Sequence, residues 1–214
     1  MTLREISALV SSSVMMIGTF WYIYLVIKGD DRVKPILATW IILASTMTLG
    51  MATYWTSPKH SLIGNIGNAT GVVSTISILS VIVCVSLNRG IKLAFSEFQK
   101  WCLKVAGFIA LLWIVLVWGF GGTGVIPNIL TQILMLVGYV ATGERLMRAD
   151  RNTEPFFFWT CIMLSGAFAI YVAVKSIDPL AYIYAVRATV TTSILLILMY
   201  LANRKSKMAF RIQA

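Results

Sequence analysis

The chain has 214 residues, of which 58% are hydrophobic and 12% are charged, and its mean hydropathy is +0.83. Soluble globular proteins carry about 25% charged residues, so this composition excludes a water-facing globular surface as well as a disordered, collagen-like or disulfide-stapled chain. The 18 basic residues outnumber the 8 acidic ones, for a formal net charge of +10. On a soluble protein this charge would indicate nucleic acid. On so apolar a chain it indicates a membrane protein with no nucleic-acid partner.

Seven apolar runs follow one another, each close to the 20 or so residues that a helix needs to cross the hydrocarbon core of a bilayer. We expect them at residues 3–27, 36–55, 61–87, 103–120, 125–147, 156–174 and 179–202. Stretches such as Ala106–Val117 are apolar on every side, whereas strands of a membrane barrel alternate. The sequence therefore predicts an all-α integral membrane protein with seven transmembrane helices. A basic, amphipathic stretch from Lys92 to Lys104 is expected along the membrane interface before the fourth helix.

The positions of lysine and arginine predict the orientation, because cytoplasmic loops carry an excess of both. Fourteen of the 18 basic residues follow the first, third, fifth and seventh runs, three lie on the opposite side, and one, Arg187, lies inside the seventh run. This predicts an outside N-terminus and a cytoplasmic C-terminus, in a multi-pass protein of the plasma membrane. The first run has no small-residue cleavage site near its end, so we expect it to be kept. The basic face should attract anionic lipid headgroups.

An internal repeat is visible at a spacing of about 120 residues. The segment Leu25–Pro35, followed by Trp40, resembles Arg145–Pro155, followed by Trp159. In both, a run ends in basic residues and a proline opens the next run, where its missing N–H costs little. Two helix hairpins of this kind also resemble each other by chance, and this alternative stays open.

The third and seventh runs resemble each other as well, since Val72–Leu79 aligns with Thr189–Leu196. Together the two similarities predict a 3+1+3 plan of parallel repeats. We expect a first triple-helix bundle at residues 1–88, an interfacial segment and linker helix at 89–124, a second bundle at 125–202 and a basic cytoplasmic tail at 203–214.

The residues around these repeats resemble a known family. The first run contains an aromatic and ends in a basic residue, Tyr22 and Lys28, and the third opens with the Asn-Gly-rich sequence Ile63–Asn68. With the 3+1+3 plan, these features resemble the SWEET and PQ-loop (MtN3-like) superfamily of small transporters over about residues 10–202, as a divergent member. The resemblance implies a substrate held between the two bundles by asparagines on the third and seventh helices and aromatics on the second and sixth.

Carried onto this sequence, the resemblance implies Asn65 or Asn68 on the third helix, Tyr54 or Trp55 on the second, and Tyr171 on the sixth. On the seventh helix the chain departs from the family, because residues 181–184 are Ala-Tyr-Ile-Tyr and offer Tyr184 instead of an asparagine. The Pro-Gln pair of the family is also absent. Pro35 and Pro155 stand in its region, and we expect them to act as hinges.

Arg187 is the one ionisable residue deep inside a predicted helix. It follows Pro179 by eight residues, or about 12 Å. A charge at this depth is costly unless it faces a wet cavity or a partner, and the arginine fork suits an anionic substrate. Alternatively, Arg187 snorkels outward or pairs with helix carbonyls and a tyrosine hydroxyl.

Polar residues near the start of the third and fifth helices are the other candidates for a site. Asn65 and Asn68 are expected on one face of the third helix. Polar amides in a membrane either join helices or line a cavity. The remaining members of this expected cavity are Asn128, Thr131 and Gln132 on the fifth helix and Tyr182, Tyr184 and Thr189 on the seventh.

Little in the sequence indicates enzymatic chemistry. The single histidine, His60, lies in a short loop, and the three cysteines are far apart. The seventh run offers no lysine for a retinal Schiff base. We therefore expect no metal, no cofactor and no enzyme. The sequence favours a small transporter of a polar or anionic metabolite by alternating access. The alternative is a seven-helix receptor or a lipid- or ligand-binding membrane protein without transport, and homo-oligomerisation stays open.

Overall fold

The computed structural model describes residues 1–30, 33–56, 60–91, 94–121, 125–149 and 152–213, with side chains as far as Lys205. Several basic residues used above for the orientation lie outside this part of the chain, namely Arg32, Lys59, Lys92, Arg151 and the side chains of Lys207 and Arg211.

The described chain is helical, without strands. Its helices are α1 (Leu3–Lys28), α2 (Leu37–Trp55), α3 (Ile66–Asn88), α4 (Glu97–Ile114, continued by a π-helical turn Val115–Gly119), α5 (Val125–Arg148), α6 (Phe156–Lys175) and α7 (Pro179–Gln213). All seven are long and apolar enough to cross a membrane. The prediction of an all-α chain is confirmed for the described residues, and so is that of seven helices able to span a membrane.

Capping boxes begin two of the helices. The Thr2 hydroxyl accepts from the backbone N–H of Glu5, whose carboxylate accepts from Thr2 N–H in return, and Ser96 and Gln99 repeat this exchange before α4. The part of the expected interfacial segment from Glu97 to Lys104 therefore belongs to α4. Because Ser96 caps the chain and Cys102 is fully buried among its neighbours, this stretch forms the first turns of α4.

Three further boundaries differ from expectation. Asn65 is the N-cap of α3 and not a residue of its first turn, so it does not share a helix face with Asn68. Pro155 is the N-cap of α6, and Pro35 precedes the N-cap of α2, so neither proline lies within the helix that it was expected to open. Residues 203–213 continue α7 instead of forming a separate tail.

The helices pack in two matching sets. In the first set α3 packs against both α1 and α2, and in the second α7 packs against both α5 and α6. Between the sets, α1 packs against α6 and α2 packs against α5, while α4 packs on α5 and α2. The largest side chains of the core, among them Tyr22, Trp40, Phe158 and Trp159, lie where the two sets meet.

The bundle has two distinct ends. At the first, which we name the basic end, α1, α3 and α5 finish and α2, α4 and α6 begin. There the Lys34 N–H donates to the Thr153 carbonyl at 3.2 Å. At the opposite end, named the N-terminal end, the Tyr54 hydroxyl donates to the Asp178 carboxylate at 2.6 Å. Both bonds join the first set of helices to the second.

Candidate functional site

Two tryptophans meet at the contact between the helix sets. Trp40 of α2 and Trp159 of α6 stack with their ring centroids 6.3 Å apart and their planes 24° apart. Each also packs on a tyrosine, Trp40 on Tyr22 at 5.0 Å and Trp159 on Tyr139 at 5.9 Å. The tryptophans are 159 − 40 = 119 positions apart and the tyrosines 139 − 22 = 117. The spacing of both pairs is close to the spacing of about 120 residues noted in the sequence.

A small cavity adjoins this aromatic pair at the centre of the bundle. Its volume is about 20 Å³, which is enough for one water molecule. All of the helices except α4 contribute to its described lining, which includes Met15, Met47, Thr75, Ile162 and Tyr184. The cavity is therefore shared between the two helix sets and is closed in this conformation.

A chain of polar side chains lies between α5 and α7. The Arg187 Nε donates to the Gln132 Oε1 at 2.7 Å, and the Gln132 Nε2 donates to the Asn128 Oδ1 at 3.2 Å. The guanidinium also lies 4.9 Å from the centroid of the Tyr184 ring. Both terminal nitrogens of Arg187 are shielded from solvent and lack a hydrogen-bond partner among the described residues. The outward, snorkelling conformation of Arg187 is therefore not the one observed.

Asn68 of α3 lies near the same region, at the point where α3 meets α2 and α5. A Cβ placed on Gly50 would lie 3.5 Å from the Asn68 Nδ2 and 3.8 Å from the Thr131 Oγ1, so both side chains meet above this glycine. The Asn68 Oδ1 is buried without a hydrogen-bond partner in the described chain. The Tyr184 hydroxyl donates to the carbonyl of Gly67, next to Asn68, at 3.2 Å. Asn68, Tyr184 and Arg187 thus belong to one cluster, which we name the polar cluster together with Asn128, Thr131 and Gln132.

Other predicted site residues lie elsewhere. Trp55 is the last residue of α2, is 50% exposed and packs against the His60 ring. Tyr171 lies beneath the Lys175 ammonium at 5.8 Å. Neither aromatic is among the residues that line the central cavity, and their role in a site stays a prediction. Tyr182 is exposed, and Asn65 is buried in its N-cap position without joining the polar cluster by any described bond.

Sequence reasoning missed the residues nearest the central cavity. Trp40 and Trp159 were noted for the repeat alone, although their matching positions after Pro35 and Pro155 were a usable signal. It also missed Glu154, which is buried in the connection between α5 and α6 and accepts from the Trp159 Nε1 at 3.2 Å. Burial raises the pKa of the Glu154 carboxyl to about 7, against the smaller, opposing effects of the Trp159 N–H and the Arg145 charge.

Metal and thiol chemistry find no support in the part of the chain that the structure describes. No group of three histidine, cysteine or acidic side chains comes together there. Cys102 and Cys161 are buried thiols, and Cys84 is exposed. No family model, curated protein or solved structure matches the chain.

Proposed function

We propose that the chain is a small transporter or facilitator of a polar or anionic metabolite, working by alternating access between the bundles α1–α3 and α5–α7, with α4 as the linker helix. The observation that carries this proposal is the paired packing. If α1, α2 and α3 correspond to α5, α6 and α7, then α1 against α6 and α2 against α5 are one contact made twice. Two similar units around a shared site are typical of transporters, and of the SWEET and PQ-loop superfamily that the sequence resembles.

The central cavity is the proposed point of substrate passage. It is lined by both bundles and borders the Trp40–Trp159 stack, so separating the bundles at either end would widen it towards that end. The connections at Pro35 and Pro155 would act as hinges for this movement. The closed conformation described here would then be the state between the two open ones.

The polar cluster supports a polar or anionic substrate. Arg187 has two terminal nitrogens without described partners, and its planar fork is suited to a carboxylate or phosphate. Asn68 and Tyr184 would contribute an amide and an aromatic ring to the same ligand. In this proposal the N-terminal end faces outward and the basic end faces the cytoplasm and its anionic lipids at the plasma membrane. Oligomerisation stays open.

Uptake into proteoliposomes tests this proposal. Sugars, amino acids and organic anions are offered to the wild type, Arg187→Ala, Arg187→Lys and, as a control of equal charge change, Lys175→Ala on the exposed end of α6. We expect Arg187→Ala to lower uptake at least tenfold, Arg187→Lys to lower it less, and Lys175→Ala to leave it unchanged. Absence of flux for every class in the wild type would overturn the proposal.

The alternative is a seven-helix receptor or ligand-binding membrane protein without transport. A protein of this kind would not need the helices to move, but it would bind its ligand outside the central cavity, since about 20 Å³ holds no metabolite in this conformation. A disulfide between Lys34→Cys and Thr153→Cys would hold the two bundles together at the basic end. This cross-link distinguishes a transporter from a receptor. The cross-link would abolish transport, whereas ligand binding to a static protein would persist.

A further inference from the structure

A second and much larger cavity opens at the basic end. Its volume is about 550 Å³, and its described walls come from α1 to α5 and the connections between them. The central cavity, in contrast, is lined by residues of α6 and α7 as well. The larger cavity, which we name the basic cavity, therefore shares no described lining residue with the central cavity.

Three cationic side chains from separate elements line the basic cavity. Lys34 comes from the connection between α1 and α2, Arg89 from the end of α3 and Arg145 from the end of α5. One carboxylate, that of Asp30, also lines it, so the formal charge of its described walls is 3 − 1 = +2. Residues distant in sequence thus bring like charge to one cavity, where an anion would reduce their mutual repulsion.

Backbone carbonyls hold the two arginines in place, and of the two Arg145 also lies within electrostatic reach of the buried Glu154 carboxyl. The Arg89 Nη2 donates to the Ile27 carbonyl, and the Arg145 Nη1 donates to the Lys34 carbonyl. Each bond uses one of the five N–H donors of a guanidinium, so further donors remain for a ligand. Gly29 leaves room for the Arg89 side chain, because a Cβ at residue 29 would lie 2.7 Å from the Arg89 Nη1. The φ of +73° at this residue also favours glycine.

The remaining walls are apolar and lie deeper in the bundle. Val26, Ile82 and Val85 line the cavity from the last turns of α1 and α3, so charge is concentrated where the helices end. Helix ends of this kind lie at the level of lipid headgroups, and basic pockets between transmembrane helices bind phosphate-bearing headgroups there. Arginine forks match two oxygens of a phosphate.

We propose that the basic cavity binds a phosphate-bearing anion, which is either the headgroup of an anionic phospholipid or a free phosphate ester, through Lys34, Arg89 and Arg145. This site is distinct from the central cavity and does not depend on the proposed transport. It also goes beyond a general attraction of the basic face for lipid, because it assigns three side chains around one enclosed volume.

Thermal unfolding of lipid-stripped protein in a neutral detergent tests the proposal. The protein is titrated separately with short-chain phosphatidylglycerol, with phosphatidylcholine of the same chain length, with glycerol 3-phosphate and with inorganic phosphate. The variants are Lys34→Gln and Arg89→Gln, and the control is Arg148→Gln, which removes a charge at the same end outside the cavity lining. Lys34 is exposed, so Lys34→Gln keeps the test usable even if Arg89→Gln fails to fold.

We expect phosphatidylglycerol or a free phosphate compound to raise the unfolding midpoint, with about fivefold weaker apparent affinity in Lys34→Gln and Arg89→Gln and no change in Arg148→Gln. A shift with phosphatidylglycerol alone assigns the site to a lipid, and an equal shift with glycerol 3-phosphate or phosphate assigns it to a free ligand. No shift with any anion, an equal shift with phosphatidylcholine, or equal weakening by Arg148→Gln would overturn the proposal.

Discussion

The two tryptophans at the centre of the molecule stack on each other but have different partners. The Trp40 Nε1 donates to the hydroxyl of Tyr22 at 3.2 Å, whereas the Trp159 Nε1 donates to the buried carboxyl of Glu154 at the same distance. The first acceptor is neutral across the physiological range, and the second is a group that titrates near neutral pH. Two similar positions in the two helix sets therefore differ in whether the acceptor of the tryptophan N–H changes its charge near neutral pH.

Removing either tryptophan is expected to have the largest effect. Trp40→Ala and Trp159→Ala would each leave a large void where the helix sets meet, at a cost of about 3–5 kcal/mol in the free energy of unfolding. Denaturant titration of the purified protein measures this cost. If one variant had almost no effect on stability while the other unfolded the protein, the two rings would not contribute equally to the packing between the helix sets.

The variant Glu154→Gln tests the difference between the two tryptophan pairs through the pH dependence of the protein's stability. Because the pKa of Glu154 is raised from 4.5 to about 7, the folded protein binds this proton more tightly than the unfolded chain does. Its contribution of up to about 3 kcal/mol is present below pH 4.5 and is lost as the pH rises through about 7. We expect Glu154→Gln to flatten the dependence of the unfolding midpoint on pH between about 5 and 8.

The exposed residue Glu97 supplies a matched control for that measurement. Glu97 lies in the first turn of α4, where its carboxylate pairs with Lys100. Glu97→Gln should leave the pH profile unchanged between pH 5 and 8. An unchanged profile in Glu154→Gln would contradict the assignment of the pH response to Glu154.

Tyr22→Phe is expected to have the smallest effect of the three changes. It removes the acceptor of the Trp40 N–H and leaves that donor buried without this bond, at a cost of about 1–3 kcal/mol. The cost should be the same at pH 5 and pH 8, because no group of the Trp40–Tyr22 pair titrates in this range. A cost that changes with pH would show that the two tryptophan sites are coupled.

The sequence was sufficient to predict the helices but not their contacts. Long apolar runs determined the number and approximate positions of all seven helices, because a bilayer sets the length of each one. Their ends were less predictable, since Ser96 and Asn65 act through local hydrogen bonds and backbone angles that hydropathy does not report.

The candidate site was predictable only in part, because hydropathy does not report which helix faces meet. Arg187, Asn68 and Tyr184 were found because polar or family-like residues stand out in apolar helices. The family resemblance implies Tyr54 or Trp55 on the second helix and does not indicate Trp40, because a helix that is apolar on every side gives no signal of which face meets protein and which meets lipid. The bond from Arg187 to Gln132 joins residues 187 − 132 = 55 positions apart and follows from packing alone.

The bonds that join the helix sets at the two ends are unequal in kind. At the basic end the bond from Lys34 to Thr153 is between two neutral backbone groups, which water replaces at little cost. At the N-terminal end the bond from Tyr54 to Asp178 involves a carboxylate, and bonds of this type are about twice as strong. The basic end also carries the bond from the Arg145 guanidinium to the Lys34 carbonyl, so each end has one bond between the sets that involves a charged group. If the sets separate as proposed, opening at either end must break such a bond, and a closed state held at both ends is the expected resting state of the unliganded protein.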